Sequence, residues 1–146
     1  MDTTDPVAEL ERVVIGAVGL TTRALAEAAP GTDLTFPQWR ALLILGEDAD
    51  GARVGQVAAR VGVTLPATSR LLRRLAARGM VTLVADEQDH RATRAQLTDA
   101  GAAVRASILR YRLDALREVA AAMDGQTARP FGTTVAALAD ALGAFA

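Results

Sequence analysis

The 146-residue chain contains no cysteine and no lysine, only two serines, one histidine and one tryptophan. Each scarcity closes a class of chemistry. Without thiols there can be no disulfide, thiolate nucleophile, Cys-ligated metal or thiol redox sensor. With Ser69, Ser107 and His90 as the whole stock, a Ser-His or Cys-His catalytic arrangement has almost nothing to be built from. The acids are scattered along helix surfaces, which offers no carboxylate pair for acid–base work. The reading is therefore of a non-enzyme without a cofactor. No apolar run approaches the ~20 residues that a bilayer span requires. The acidic opening, with Asp2 and Asp5, is unlike the basic start of a secretory signal. A cytoplasmic protein with no membrane partner is expected.

What the chain does have is arginine, unevenly opposed by acid. Arg53, Arg60, Arg70, Arg73, Arg74 and Arg78 lie between Gly51 and Ala85, a stretch with no Asp or Glu, in a chain of net charge −1. The first fifty residues carry a net −6, and residues 86–146 a net −1. A positive block on an otherwise acidic chain is a local field suited to a polyanion, and phosphates respond to that field more than to the overall pI of about 5.8. Nucleic acid is the expected partner, and the helix pair described below narrows it to double-stranded DNA.

Periodicity and capping organise the chain. Residues 5–29 read as a helix, with Asp5 capping, Pro6 in the first turn, and Val7, Leu10, Val14, Val18, Thr21 and Leu25 at spacings of three or four. Thr35-Phe36-Pro37-Gln38 fits a capping box, with Leu34 and Trp39 at the positions of a hydrophobic staple. Short helices over 54–61 and 65–78 flank a Gly62-Val63-Thr64 turn. Strands over 80–85 and 91–97 then form a hairpin. Thr98 caps a long helix to about Met123, and a last helix carries Phe131, Val135, Leu138, Leu142 and Phe145, a 4-3-4-3 seam. Terminal helices at both ends exceed what so small a core needs to cover itself. The expectation is a homodimer, with Val7, Leu10, Val14 and those five seam residues in its interface.

The helix pair carries the signal. Val57, Ala58 and Val61 supply an inward face, Gly62 the turn, Val63 the corner plug and Thr64 the cap of the second helix. Wound at 100° per residue, that helix buries Thr68, Leu71, Leu72 and Leu75. Its opposite face is centred on Pro66, Arg70 and Arg73, flanked by Ser69, Ala67 and Arg74. A basic face without interspersed acids suits a helix that enters a major groove, since Arg bridges guanine O6 and N7. Asp86-Glu87-x-Asp89-His90 could also be read as metal ligands, but in a hairpin tip these are ordinary turn residues with no second cluster to close a coordination sphere. No metal site is expected.

From Leu34 to Gly101 the chain resembles the MarR family of winged helix-turn-helix transcriptional regulators. The matching residues are Leu34-Thr35-x-x-Gln38-Trp39, then Gln56-Val57-Ala58-x-x-Val61-Gly62-Val63-Thr64, then Ser69-Arg70-Leu71-x-x-Arg74-Leu75-x-x-Arg78-Gly79-Met80-Val81, and in the wing Asp89-His90-Arg91 followed by Leu97-Thr98-x-x-Gly101. The implied fold is mainly α (α+β): a winged helix-turn-helix DNA-binding lobe over 34–97, with 1–33 and 98–146 forming a helical dimerisation module, all one compact domain. The implied function is a repressor that binds a pseudo-palindromic operator as a homodimer. Thr64, Pro66, Ala67, Ser69, Arg70, Arg73 and Arg74 would face the DNA, with Asp89, His90, Arg91 and Arg94 from the wing. There, Arg91 would enter the minor groove and Asp89 would help to hold it. His90 stands where the family usually has a second Arg, and Arg73 where many relatives carry an acid. The resemblance also implies a small phenolic or anionic effector in a crevice flanked by Leu20, Arg23, Trp39, Arg110 and Tyr111. The competing reading is a winged-helix protein-interaction module that does not bind DNA.

Overall fold

The computed structural model describes residues 5–123 and 125–143, with backbone only at 125–129. The chain divides into two compact units, one ending at Arg112 and the other beginning at Leu113. The elements, in order, are α1 (Pro6–Glu27), α2 (Phe36–Leu45), β1 (Ala52–Arg53), α3 (Val54–Val61), α4 (Leu65–Ala77), β2 (Val81–Ala85), β3 (Thr93–Leu97), α5 (Asp99–Ala121) and α6 (Gly125–Gly143). The fold is mostly helical, with one small antiparallel sheet. Among the described residues no helix is long and apolar enough to cross a membrane.

Local chemistry sets the element boundaries of the first unit. Asp5 accepts from the Val7 N–H at 3.0 Å and opens α1. The capping box of α2 forms as its sequence requires: Gln38 Oε1 accepts from Thr35 N at 2.9 Å, and Thr35 Oγ1 accepts from Gln38 N at 3.4 Å. Leu34 and Trp39 are both buried beside it. Gly62, at φ +79°, ends α3 in the left-handed region, where a Cβ would be strained. Thr64 then caps α4 through the Ala67 N–H.

The core of this unit lies under α4. Leu71, Leu72 and Leu75 from α4 meet Val57 from α3, Trp39, Leu42 and Leu45 from α2, and Val81 and Ala95 from the sheet. Ala24 and Leu25 of α1 and Ile108 of α5 complete it. Thr68 is fully buried on the same face of α4, its hydroxyl satisfied by the Thr64 carbonyl at 3.1 Å. The hydroxyl's own helix thus meets its hydrogen-bonding need, so Thr serves where an apolar residue would be usual.

The sheet runs β1-β3-β2. The hairpin of β2 and β3 was expected. The two-residue strand β1 was not; it pairs Ala52 with Ala95 and Arg53 with Arg94. Thr98 closes the base of the hairpin, its N–H donating to Met80 O at 3.1 Å and its hydroxyl to Gly79 O at 2.6 Å. Gly101 explains its place in the motif: a Cβ there would run into the Met80 carbonyl, so only glycine lets α5 leave so close to β2.

Half of α1 does not join this core. Thr21, Ala24 and Leu25 are buried, whereas Val7, Leu10, Val14 and Val18 of the same stripe are exposed, together with Val13 and Ile15. In the second unit, Phe131, Val135 and Leu142 of α6 are likewise exposed and Leu138 is half-buried, while Phe145 lies outside the described residues.

Burial makes the core-facing and outward faces of α4 separable by mutation. Leu72→Ala, at a fully buried site, should cost about 2–5 kcal/mol. Leu65→Ala, on the exposed side of the same helix, should stay within about 0.5 kcal/mol. Urea denaturation of both variants measures the contrast.

Candidate nucleic-acid interface

Of the six arginines between 51 and 85, two are neutralised by acids just outside that window. Arg60 forms a two-pronged pair with Glu47, at 2.6 and 2.8 Å, and Arg53 pairs with Asp86. The other four, Arg70, Arg73 and Arg74 on α4 and Arg78 at its C-terminal cap, are exposed and make no ion pair among the described residues. Arg73 folds back to its own helix, donating Nε–H to the Ser69 carbonyl at 3.1 Å. Pro66 is exposed, and Ala67 and Ser69 are half-buried between the two faces of the helix. The positive block is thus narrower than the linear sequence suggests: α4 and its C-terminal cap, with no acid paired to either among the described residues.

The second cationic element is the wing tip. His90 and Arg91 are exposed there. Asp89 braces the backbone of the turn, its Oδ1 accepting from Arg91 N at 3.1 Å and its carbonyl from Ala92 N at 2.8 Å. Its described hydrogen bonds are to backbone, so the expected grip of Asp89 on the guanidinium is replaced by a grip on the turn that carries it.

The wing is aimed by an acid that the sequence reading had left in the turn. Arg53 and Arg94 stand directly opposite each other on β1 and β3, a like-charge pair that alone would be destabilising. Asp86, 1% exposed, resolves it. Its Oδ2 accepts from Arg53 Nε at 2.9 Å and Arg94 Nε at 3.1 Å, and its Oδ1 from Arg53 Nη2 at 2.8 Å. The N–H groups of Gln88 and Asp89 add two more bonds to Oδ1, each at 3.0 Å. The Arg53 hydrogen bonds, above all, hold the Asp86 carboxyl well below the usual carboxylate range, against the opposing effect of burial. Arg94 also donates to the carbonyls of Asp50 and Gly51. Expected at the DNA surface, Arg94 is instead committed to anchoring the wing, because its donors are taken up by Asp86 and these carbonyls. Arg53 was the missed partner. Its signal was Asp86, an acid at the start of the hairpin turn.

A groove of about 510 Å³ is lined by residues of both cationic elements, Leu65 and Ser69 of α4 and Arg91 of the wing, together with Arg53, Gln56 and Thr93. Leu65 is 53% exposed at the first turn of α4, where an apolar side chain can meet a thymine methyl. It was not among the residues expected at the surface.

The residues expected around an effector are distributed differently. Trp39 lines a cavity of about 320 Å³ with Phe36, Arg40, Glu47, Arg60 and Arg112, among others. Leu20, Arg23, Arg110 and Tyr111 are not in that lining. Leu20 is half-buried, Arg23 and Arg110 are exposed, and the Tyr111 hydroxyl donates to Glu27 Oε2 at 2.7 Å. The α5 residue turned to the cavity is Arg112, two positions and about 200° of helix beyond Arg110. Among the described residues no cluster of three His, Cys, Asp or Glu side chains could hold a metal ion.

Residues 32–92 match the model of the MarR family. No curated protein matches the chain. Among solved structures, a MarR family protein from Bacillus stearothermophilus is 25% identical, covering 94% of this chain and 95% of that one, with a TM-score of 0.76. The PcaV transcriptional regulator from Streptomyces coelicolor, in complex with its natural ligand, is also 25% identical, covering 94% of each chain, with a TM-score of 0.64. FabT from Streptococcus pneumoniae, in complex with DNA, is 19% identical, covers 96% and 97%, and has a TM-score of 0.77, a likeness of fold.

The wing anchor has a pH signature. A carboxyl with a depressed folded-state pKa contributes stability above the ordinary carboxylate value and loses it as pH falls. Wild type should therefore exceed Asp86→Asn in urea midpoint at neutral pH, and the gap should narrow as pH drops below about 4. A gap independent of pH would mean that the carboxylate charge is not what holds the wing.

Proposed function

We propose, because residues 32–92 match the model of the MarR family, that the chain is a cytoplasmic transcriptional repressor that binds a pseudo-palindromic operator as a homodimer and releases it on binding a small phenolic or anionic effector. The observation that carries DNA binding is the set of three exposed arginines on α4, Arg70, Arg73 and Arg74, none ion-paired among the described residues, with Arg91 of the wing and Ser69 of α4 lining a shared groove. A soluble surface normally mixes charges of both signs. An unmixed basic face is matched by the phosphate array of a duplex.

In this reading α4 enters the major groove. Thr64, Pro66, Ala67, Ser69, Arg70, Arg73 and Arg74 lie along it, while Arg91 of the wing reaches the adjacent minor groove, where negative potential is focused. Asp86 and Asp89 act through geometry, holding the turn that presents Arg91. The partner for dimerisation is a second copy of the chain. Val7, Leu10 and Val14 of α1 and Phe131 and Val135 of α6 are exposed apolar side chains on helices whose other residues are amphipathic, and contiguous exposed apolar surface is costly on a monomer.

Effector response rests on the cavity beside Trp39. Its walls combine the rings of Phe36 and Trp39 with the guanidinium groups of Arg40, Arg60 and Arg112, against the single carboxylate of Glu47. That excess of positive charge around aromatic walls suits a planar anion. The solved relative PcaV carries a natural ligand, which is consistent with a ligand-responsive fold.

Fluorescence anisotropy on a duplex across a salt series tests the DNA reading. Affinity should fall steeply with salt. Arg70→Ala should cost about 1–3 kcal/mol on a preferred site, and Arg91→Ala should make the salt slope shallower by about one unit. If both variants bind as wild type and salt has little effect, α4 is not a DNA surface and the chain is a protein-interaction module.

A further inference from the structure

The cavity beside Trp39 contains an ion pair that is itself attached to the helix-turn-helix. Glu47 follows α2, and Arg60 sits in the last turn of α3; both line the cavity and hold each other at 2.6 and 2.8 Å. A second cavity residue, Arg40, donates Nη2–H to the Arg60 carbonyl at 2.7 Å, satisfying one of the free carbonyls at the end of α3. The C-terminal end of α3, one residue before the Gly62 turn into α4, is therefore secured by two links, and both pass through the cavity wall.

The third arginine of the wall is uncommitted. The Nε of Arg112 is buried and has no hydrogen-bond partner among the described residues. The wall thus carries three guanidinium groups and one carboxylate, the protein's own, and only Arg60 bonds to it. The Arg60 hydrogen bond lowers the Glu47 pKa, so Glu47 is charged throughout the physiological range. The Glu47 and Arg60 side chains are each about half exposed, at 53% and 47%. A pair in that position is cheap to open, whereas a buried one would not yield to a small solute.

Resting on the effector reading above, we propose that Glu47 is an internal competitor for the effector's anionic group: the Glu47–Arg60 pair stands in the empty state, and an anion that binds the cavity takes Arg60 from Glu47 and so loosens the anchorage of α3 and the position of α4. Differential binding to two arrangements is what couples the sites. The coupling is reciprocal: DNA, by favouring the anchored α3, weakens the anion.

Benzoate is a suitable probe, because Trp39 is the chain's only tryptophan and its fluorescence reports directly on the cavity. The variant is Glu47→Gln, which keeps size and removes charge, with Glu47→Asp as the charge-retaining rescue and urea denaturation as the check on folding. The proposal expects Glu47→Gln to bind benzoate several-fold more tightly than wild type and DNA several-fold more weakly in its absence, with Glu47→Asp restoring both toward wild type. The sign on DNA is diagnostic. Deleting an acid raises net positive charge, and non-specific electrostatics alone would strengthen DNA binding. If benzoate binds wild type and Glu47→Gln equally, or if the variant holds DNA as tightly or more tightly, the switch is overturned while the effector cavity stands. If benzoate leaves Trp39 fluorescence unchanged at tens of millimolar in wild type, the effector reading falls and takes this proposal with it.

Discussion

One carboxylate determines whether the hairpin is a wing or merely a loop. Asp86 receives five hydrogen bonds: three from guanidinium groups on two different strands and two from the turn it begins. Without it, Arg53 and Arg94 would face each other across β1 and β3 unopposed. With it, their repulsion becomes the cross-brace that ties the α3 end of the fold to the hairpin tip. Charge-assisted bonds from a fixed fork have direction as well as strength. Direction is what a wing needs, since the tip must present Arg91 at a set distance from α4. A buried ion group of this sort adds little as a source of net stability and more as a fixer of geometry.

The same accounting of charges separates scaffold from surface. In the helix-turn-helix and wing, the arginines that tie one element to another are held by a partner from elsewhere in the chain: Arg53 and Arg94 by Asp86, Arg60 by Glu47, Arg40 by the Arg60 carbonyl. The three on α4 and Arg78 at its cap have no described ion pair, and neither has Arg91 at the wing tip. Counting residues in a linear window merges these two populations, because Asp86 and Glu47 lie one and four residues outside it. Sorting by partner instead of by position leaves a smaller basic surface, made of α4 with its C-terminal cap and a hairpin tip.

What could be read from the chain follows the range of the interactions involved. The start of α2 was legible because Thr35 and Gln38 cap each other within one turn, and the α3–α4 junction because Gly62 and Thr64 each meet a local demand of the backbone. The buried face of α4 was legible from periodicity alone. β1 was not, since two residues carry no pattern and exist as a strand only by pairing with β3. The Arg53–Asp86 bond spans 33 residues, and no local signal announces it. On α5 the helix was evident but its facing was not. Arg110 and Arg112 are equivalent by composition, and only packing turns Arg112 toward Trp39. Similarly, the stripe on α1 is uniform in sequence, yet tertiary contact buries Thr21 and Leu25 and leaves Val7 to Val18 uncovered.

The central claim is that two copies of this basic surface meet one duplex, and selection of bound sequences from a random double-stranded library at a stated salt concentration tests it most directly. The account predicts an enriched inverted repeat whose half-sites are about one helical turn, ~10 bp, apart. Recovery of sequences with no symmetric enrichment, or of a lone half-site bound by one copy, would contradict it.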